Sequence, residues 1–327
     1  MAVQPYFSLD PQAQAILDRA RMSGIQPLSS MPPVQARNTY RAGRLPTQPV
    51  APSGVLARDF ELECADGHSL PVREYRPAGR DTTARLGALV FFHGGGWVVG
   101  DRDTHDVLCR MLCHHGGIAV YNVDYRLAPE YRFPAAFDDA CAAVRAIVDR
   151  ADELLIDPLR LAVGGDSAGG NLAAAAAIAW REESGPALAA QLLVYPVTDL
   201  LAQEGSYQDC AQGYVLSAAD MSYFQSHYVP DIADQADWRV SPLRAPSLAQ
   251  LPPALVITAG YDPLRDQGRR YADRLAMQGN QVTCVCFERQ MHGFLGMGGV
   301  VDEANDAVQL CAAWLRRQLS VAPERQS

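Results

Sequence analysis

Short apolar segments alternate with amphipathic segments along most of the chain. Six apolar runs are bounded by turn residues, and they read LGALVFF, GIAVYNVD, RLAVGGD, AQLLVYP, PPALVITAG and QVTCVCFE. Between most of them lie helical patterns such as HDVLCRMLCHH, AAFDDACAAVRAIVDRA and DQGRRYADRLAMQ. Strands that are apolar throughout and alternate with helices are typical of a mostly parallel sheet with helices on both faces. The pattern therefore predicts an α/β fold.

Other patterns precede this region. Asp10 and Pro11 predict the start of a helix that continues at helical spacing as far as Gly24. A proline-rich stretch follows, from QPLSSMPPVQ to LPTQPVAPSG, and we expect little regular structure in it. The segments VLARDFELEC and HSLPVREYRP then alternate apolar and polar residues, which predicts two strands of a hairpin around the Asp66-Gly67 turn.

One interval departs from the alternation of strands and helices. Residues 200–246 include the helical sequence GYVLSAADMSYFQSHYV and have no strand of their own. We predict that residues 1–50 and 200–246 form a helical lid. Residues 51–199 and 247–320 would form the catalytic core, with a disordered tail at 321–327. The lid carries apolar side chains that either line a substrate pocket or only pack the lid onto the core, and they are Tyr214, Leu216, Met221, Tyr223 and Phe224.

Ser167 stands in a glycine-rich turn between a predicted strand and a predicted helix. Residues 165–169, GDSAG, fit G-x-S-x-G, which presents a nucleophilic serine on a sharp strand-to-helix turn. Such a strained turn needs neighbours with almost no side chain. On these residues alone, Ser167 can also be a helix N-cap. A phosphate loop is excluded, because no lysine occurs between Leu161 and Trp180.

A second glycine-rich segment, HGGGW at residues 93–97, follows a predicted strand. Three glycines after a strand leave backbone N–H groups uncovered, and these groups can face a developing oxyanion. On its own the segment can also be an ordinary flexible loop. A loop of this kind upstream of a G-x-S-x-G turn is typical of the oxyanion hole of lipases and esterases. We expect His93 to brace this loop rather than to take a proton.

An acid and a histidine complete the pattern. Asp262 lies just beyond the strand LVITAGY, and His292 lies just beyond the next strand. Both are therefore expected at the carboxyl edge of the sheet, where ligands bind in open α/β folds. The order Ser167, Asp262, His292 is the order of nucleophile, acid and base on such a sheet. Asp266 and Asp199 are the rival acids. The remaining histidines lack either the strand-end position or this order, and they are His68, His93, His105, His114, His115 and His227.

The composition limits the partners and the compartment. The 327 residues carry a net charge of -9, which is unfavourable for binding nucleic acid. No run of about 18 apolar residues occurs, so we expect no membrane-spanning helix. The first residues lack the basic and apolar segments of a signal peptide. Eight cysteines, from Cys64 to Cys311, occur in segments predicted as core and are expected to be reduced, which favours the cytoplasm.

Two pairs of cysteines have alternative interpretations. Cys109 and Cys113 precede two histidines, an arrangement that can suggest a metal site. Their i, i+4 spacing on an apolar helical face predicts core positions instead, and we expect no metal. Cys284 and Cys286 alternate on one face of a predicted strand and are also expected in the core.

The charged residues of DYRLAPE also have two interpretations. Asp124, Arg126 and Glu130 either contact substrate or form a buried polar network that holds the loop near the serine turn. We expect the network, because a buried charge without a partner is costly.

Several motifs together resemble those of one known family. The segments HGGGW, DYRLAPEYRFPAAFDD, GGDSAGGNL, YDPLRD and MHGF are similar to those of bacterial hormone-sensitive-lipase-like esterases, in the branch with a GDSAG turn. The resemblance covers about residues 55–317. It implies an α/β-hydrolase fold with a helical cap, and hydrolysis of short- to medium-chain carboxylic esters, including aryl esters, without a cofactor. It also suggests a homodimer through an edge strand.

The same resemblance assigns roles to individual residues. It implies that Ser167 is the nucleophile, His292 the base and Asp262 its orienting acid. The backbone N–H groups of Gly95, Gly96 and Ala168 would form the oxyanion hole, with Gly94 as an undecided neighbour. The chain departs from the family pattern at YR in APEYRFPAA, where His-Pro is frequent, and in the polar residues before MHGF. Both departures concern the shape of loops and not a proposed catalytic group.

Two other functions remain open from the sequence. An amidase or arylformamidase can use the same triad and glycine loop. A small-ligand receptor on the same fold can dispense with the catalytic base, and the presence of His292 is evidence against that function.

Overall fold

The central element is one sheet of eight strands. A computed structural model describes residues 7–64, 67–79, 84–183, 185–203 and 205–320. The strands are β1 Val55–Glu63, β2 Ser69–Pro77, β3 Leu86–Phe92, β4 Ala119–Val123, β5 Ile156–Asp166, β6 Ala190–Val194, β7 Ala254–Tyr261 and β8 Val282–Met291. Their order is β1-β2-β4-β3-β5-β6-β7-β8. β1 and β2 are antiparallel to their neighbours, and the other strands pair in parallel. The predicted mostly parallel sheet is therefore confirmed.

Helices cover both faces of this sheet. They are α1 Pro11–Ser23, α2 Pro33–Arg44, α3 Asp106–Gly116, α4 Ala135–Asp149, α5 Ala168–Arg181, α6 Ser206–Asp209, α7 Ala218–Tyr228, α8 Arg265–Met277 and α9 Asp302–Gln318. Alternate residues of β3 belong to two apolar clusters, because successive side chains of a strand point to opposite faces. Helices α4, α5 and α8 pack on one face, and α3 and α9 pack on the other.

The predicted N-terminal helix and the hairpin are both present. The Asp10 carboxylate accepts a hydrogen bond from the Gln12 amide at 2.7 Å, and Gly24 ends α1 with a φ of 67°. In the hairpin, β1 pairs with β2 from Val55 opposite Pro77 to Glu63 opposite Ser69. Asp66 of the predicted turn lies outside the described residues, as does the predicted tail 321–327.

The expectation of little regular structure in the proline-rich stretch is wrong. Helix α2, of 12 residues, lies within it. Pro32 and Pro33 occupy its N-cap and first turn, where the missing N–H would be unpaired in any case. The rest of α2 contains no proline, and its arginines bind the core: Arg37 donates to the carbonyls of Val98 and Ala128. Tertiary contacts therefore stabilise a helix where the local composition suggested a loop.

The interval between β6 and β7 is helical, as predicted, and it contacts the N-terminal segment. Helix α7 begins with a capping box in which Ser217 and Asp220 bind each other's backbone N–H groups. The other carboxylate oxygen of Asp220 accepts a hydrogen bond from the Ser29 amide at 3.2 Å. In the described residues, no helix has the length and apolar character needed to cross a lipid bilayer.

The cysteine predictions are correct in part. None of the eight cysteines, all of which lie in the described residues, is part of a disulfide, and those in α3 and α9 are buried. Cys284, however, is exposed and Cys286 is only partly buried, so the expectation that both lie in the core is wrong. In the described residues, β8 is the edge strand of the sheet, with a neighbouring strand on one side only. Most of its side chains, including those of Cys284 and Cys286, are therefore partly or fully exposed.

Candidate active site

Three side chains from three strand ends meet at the carboxyl edge of the sheet. Ser167 follows β5, Asp262 follows β7 and His292 follows β8. His292 Nε2 lies 2.9 Å from Ser167 Oγ, and His292 Nδ1 lies 2.7 Å from Asp262 Oδ2. The second oxygen of Asp262 accepts a hydrogen bond from the Leu264 amide at 2.8 Å, which fixes the carboxylate. With a carboxylate at Nδ1, the proton of a neutral imidazole resides there, so Nε2 is free to accept the serine hydroxyl proton.

The backbone at Ser167 is strained, and its side chain does not cap the helix. Ser167 has a φ of 56° and a ψ of -117°, a conformation that L-residues rarely adopt. Its hydroxyl makes no capping hydrogen bond to α5 and points at His292 instead. A Cβ on Gly165 or Gly169 would overlap the Phe92 carbonyl oxygen. The glycines therefore allow the sharp turn, and the N-cap interpretation does not describe this serine.

The two rival acids have other partners. Asp266 forms an ion pair with Arg265 and accepts a hydrogen bond from the Ser206 amide at 2.8 Å. Asp199 forms an ion pair with Arg244 at 2.8 Å. These contacts tie the 200–246 interval to the core, and neither carboxylate contacts the imidazole of His292.

His93 is buried beneath the glycine loop. Its ring stacks on Tyr125 at a centroid distance of 4.4 Å, and its Nδ1 lies 2.9 Å from the Gly94 carbonyl oxygen. Burial lowers the pKa of His93 to about 4, so the imidazole is neutral near pH 7. These contacts fit a bracing role for His93.

The backbone N–H groups of the glycine loop differ in whether they already donate a hydrogen bond. The Gly94 N–H donates to Asp166 Oδ1 at 2.8 Å. Among the described residues, no acceptor takes the N–H of Gly95, Gly96 or Ala168. Ala168 is also the first residue of α5, where the N–H groups point along the helix axis. Three free donors therefore lie around the serine turn, and Gly94 does not contribute a fourth.

Asp166 is a supporting residue whose role could not be assigned from the sequence. It is buried, it accepts the Gly94 N–H, and its Oδ1 lies 3.2 Å from His105 Nε2. Burial alone would raise the pKa of Asp166. His105, Arg44 and the Gly94 N–H together lower the pKa of Asp166 by more than burial raises it, so the pKa lies well below the usual range of a carboxyl group. The motif GDSAG marks the position, but only the fold shows that this carboxylate ties the serine turn to the glycine loop.

Phe224 of α7 contacts the glycine loop. This residue is buried, and its ring lies so close to Gly96 that a Cβ there would overlap it. Tyr214 packs against Tyr261 at 5.2 Å, and Tyr223 packs against His227. Of the apolar side chains that the sequence singled out in residues 200–246, Phe224 is therefore the direct neighbour of the glycine loop.

The charged residues of DYRLAPE form the expected polar network with neighbouring elements, but the expectation that this network is buried is wrong. Asp124 pairs with Arg102 at 3.1 Å, Arg126 with Asp139 at 2.5 Å, and Glu130 with Arg37 at 2.5 Å. The side chain of Glu130 is 48% exposed, and those of Asp124 and Arg126 are each 28% exposed. Each charge is matched by a residue outside the motif, because the loop crosses the surface between several elements.

The described residues contain no group of three or more histidine, cysteine or acidic side chains placed to hold a metal ion. Cys109 and Cys113 are both buried in α3 within the apolar cluster under the sheet. Burial raises the pKa of the Cys109 thiol well above its ordinary value. These two cysteines therefore pack as apolar core residues.

Comparisons with known proteins agree with this geometry. The family model of the alpha/beta hydrolase fold matches residues 89–296. The chain is 40% identical over 320 residues to carboxylic ester hydrolase LipN of Mycobacterium tuberculosis, covering 95% of this chain and 84% of that one. It is 38% identical over 319 residues to ethyl acetate hydrolase of Pseudomonas putida, covering 95% and 100% of the two chains. The crystal structure of a thermostable esterase from Pseudomonas putida has a TM-score of 0.92 at 34% identity and covers 98% and 100% of the two chains. The chain belongs to the α/β-hydrolase fold family.

Proposed function

We propose that the chain is a carboxylic ester hydrolase that uses Ser167 as its nucleophile. The observation that carries the proposal is the hydrogen-bonded series from Asp262 through His292 to Ser167, next to unoccupied backbone amides. Relatives that match nearly the whole chain are named carboxylic ester hydrolase and ethyl acetate hydrolase.

The reaction proceeds through an acyl-enzyme. His292 Nε2 takes the proton of Ser167 as Oγ attacks the ester carbonyl carbon. The carbonyl oxygen becomes an oxyanion that accepts hydrogen bonds from the free amides, which are those of Gly95, Gly96 and Ala168. His292 then gives its proton to the departing alkoxide, and the alcohol leaves. Water enters, and His292 takes one of its protons as the water oxygen attacks the acyl carbon. The bond between the acyl carbon and Oγ then breaks, His292 returns the proton to Oγ, and the acid is released.

Asp262 keeps His292 in the tautomer that this sequence needs and stabilises the imidazolium that forms. The free amides act at the point where negative charge develops, and losing one such donor typically costs about 10²–10³ in rate. Because the base must be neutral and histidine ordinarily titrates at about 6.5, we expect kcat/KM to fall below about pH 6–7.

The test of the proposal is a matched pair of substrates. The purified protein is assayed with phenyl acetate and with acetanilide, which differ only in the ester oxygen and the amide nitrogen. We expect turnover of the ester and none of the amide above the uncatalysed rate. Faster cleavage of acetanilide, or of an N-formyl anilide, would assign the chain to the amidases instead.

We further propose that the substrates carry short to medium acyl chains, with alkyl or aryl alcohol groups. The position of Phe224 over Gly96 supports this size limit, since the ring occupies space beside the oxyanion site. The name of the ethyl acetate hydrolase from Pseudomonas putida points the same way.

A Phe224→Leu variant tests the size limit. Leucine is chosen because complete truncation of a buried phenylalanine costs about 3–5 kcal/mol of stability. We expect the ratio of kcat/KM for p-nitrophenyl octanoate to that for the acetate to rise about 10-fold, in the range that pocket size controls. Ser222→Ala, on the exposed side of the same helix, is the control and keeps the wild-type ratio. An unchanged ratio in Phe224→Leu would exclude this residue from the acyl pocket.

We also propose that residues 1–50 and 200–246 form one lid, that the chain forms a homodimer, and that it acts in the cytoplasm. The Ser29–Asp220 hydrogen bond joins residues 1–50 to residues 200–246, in agreement with a common lid. The open edge of β8 offers a surface for the homodimer that the family resemblance suggests, and light scattering would decide it. The free thiols favour the cytoplasm, which cell fractionation would test.

A further inference from the structure

The last residue of α2, Arg44, is buried against the turn that follows the proposed base. Only 7% of Arg44 is exposed, although arginine is rarely buried without a paired charge. Its Nη1 donates a hydrogen bond to the Gly293 carbonyl at 2.9 Å, and Gly293 is the residue directly after His292. The guanidinium also covers Gly296, where a Cβ would overlap Nη2. Arg44 therefore fixes the backbone turn that carries the imidazole.

A buried tyrosine, Tyr195, also packs against His292. Tyr195 is buried at the end of β6, and its ring centroid lies 4.7 Å from that of His292. Burial lowers the pKa of Arg44, but Tyr40, Tyr195 and Asp166 raise it by more, so the net shift is upward and the side chain remains a cation. Among the described residues, Arg44 Nε has no hydrogen-bond partner, and the charge of Arg44 lowers the pKa of the buried Asp166 carboxyl.

We propose that Arg44 is a positioning residue for His292 and that its charge disfavours the protonated imidazole. This inference rests on the proposed function, in which His292 must be neutral to accept the serine proton. It also gives the N-terminal segment a part in the reaction, because Arg44 of α2 binds the carbonyl of the residue that follows His292.

Other groups also act on the imidazole. Asp262 contacts Nδ1 and favours the protonated form, while Ser167 contacts Nε2 and is neutral. The Tyr195 ring faces the imidazole, and Asp166 lies in the same buried region near Arg44. When the positive charge of Arg44 is removed, it no longer offsets the negative charges of Asp262 and Asp166. Both carboxylates then favour the protonated form of His292 more strongly.

The test compares Arg44→Gln and Arg44→Lys with the wild type. In Arg44→Gln, we expect kcat to fall about 10- to 100-fold with KM changed less than about 3-fold, because misplacing a reacting group by about 1 Å costs that much. We expect the acid limb of kcat/KM to move up by about half a pH unit to one unit. Arg44→Lys keeps the charge but loses the planar fork, so the acid limb stays at its wild-type position while kcat remains reduced.

Arg41→Gln is the matched control. Arg41 lies one turn earlier on α2 and binds Asp101 at 2.7 Å on the surface, away from His292. We expect its kcat and acid limb to match the wild type. Equal effects of Arg41→Gln and Arg44→Gln would mean that α2 acts only through its general docking, which would overturn the proposal.

A second readout does not depend on turnover. The imidazole of His292 is titrated by nuclear magnetic resonance in histidine-labelled protein, and its signal is assigned by its loss in His292→Asn. The midpoint should rise in Arg44→Gln and stay unchanged in Arg44→Lys. An unchanged midpoint in folded Arg44→Gln overturns the inference even where esters are hydrolysed, and a raised midpoint supports it even where they are not. If Arg44→Gln does not fold, Arg44→Lys decides the question. A wild-type kcat in Arg44→Lys overturns the positioning role, whereas a reduced kcat with an unchanged titration midpoint of His292 supports it.

Discussion

Replacing Ser167 by alanine is expected to lower kcat by about 10⁶-fold, the size of loss found when a serine nucleophile is removed from such a triad. The variant keeps the free amides and the binding surface but has no oxygen to form the acyl bond. Loss of one hydroxyl should leave the fold intact, and the same φ of 56° is imposed on the alanine. Initial rates with p-nitrophenyl acetate, normalised to folded protein from circular dichroism, measure the effect.

The Ser222→Ala variant is the control for this measurement, since its hydroxyl lies on the exposed side of α7 and binds only the Ala218 carbonyl. It should retain wild-type kcat. If Ser167→Ala kept activity comparable with Ser222→Ala, the nucleophile would have to be another group.

Asp262→Asn is expected to have the second-largest effect, a fall in kcat of about 10⁴-fold. The amide can place its NH₂ toward Nδ1 of His292, which stabilises the wrong tautomer and leaves Nε2 carrying a proton. The residue is fully buried, and its carboxylate contacts both His292 and the Leu264 amide. Steady-state rates at pH 8, where histidine is ordinarily neutral, separate this effect from simple protonation of the base.

Asp266→Asn provides the matched comparison, because the two acids lie four residues apart on the same loop and helix start. Asp266 binds Arg265 and Ser206, so its replacement should lower the melting temperature while kcat per folded molecule falls far less than in Asp262→Asn. The reverse ranking of the two variants would transfer the role of acid to Asp266.

Local sequence patterns predicted the features that depend on neighbouring residues. The apolar runs identified the strands of the sheet, and Asp10 with Gly24 marked both ends of α1. The GDSAG turn was recognisable because the strained backbone at Ser167 requires neighbours with very small side chains. Glycines at these positions can be read directly from the sequence. The positions of Asp262 and His292 after consecutive strands followed from the topology of parallel strands.

Features that depend on distant contacts could not be predicted in the same way. The prolines around α2 predict a loop, because the contacts of Arg37 with the core leave no mark in the local sequence. Arg44 gives no local signal, since its hydrogen-bond acceptor, the Gly293 carbonyl, is far away in the sequence. Cys284 was placed in the core because strand periodicity does not reveal that a strand lies at the open edge of the sheet.

Covalent labelling tests the central claim most directly. The wild-type protein is treated with a fluorophosphonate, which forms a stable bond only with an activated serine, and the modified residue is located by mass spectrometry of its peptides. The account predicts stoichiometric modification of Ser167, with none in the Ser167→Ala variant and much slower labelling in Asp262→Asn. Absence of labelling in active protein, or modification of another serine, would contradict the assignment of Ser167 as the nucleophile.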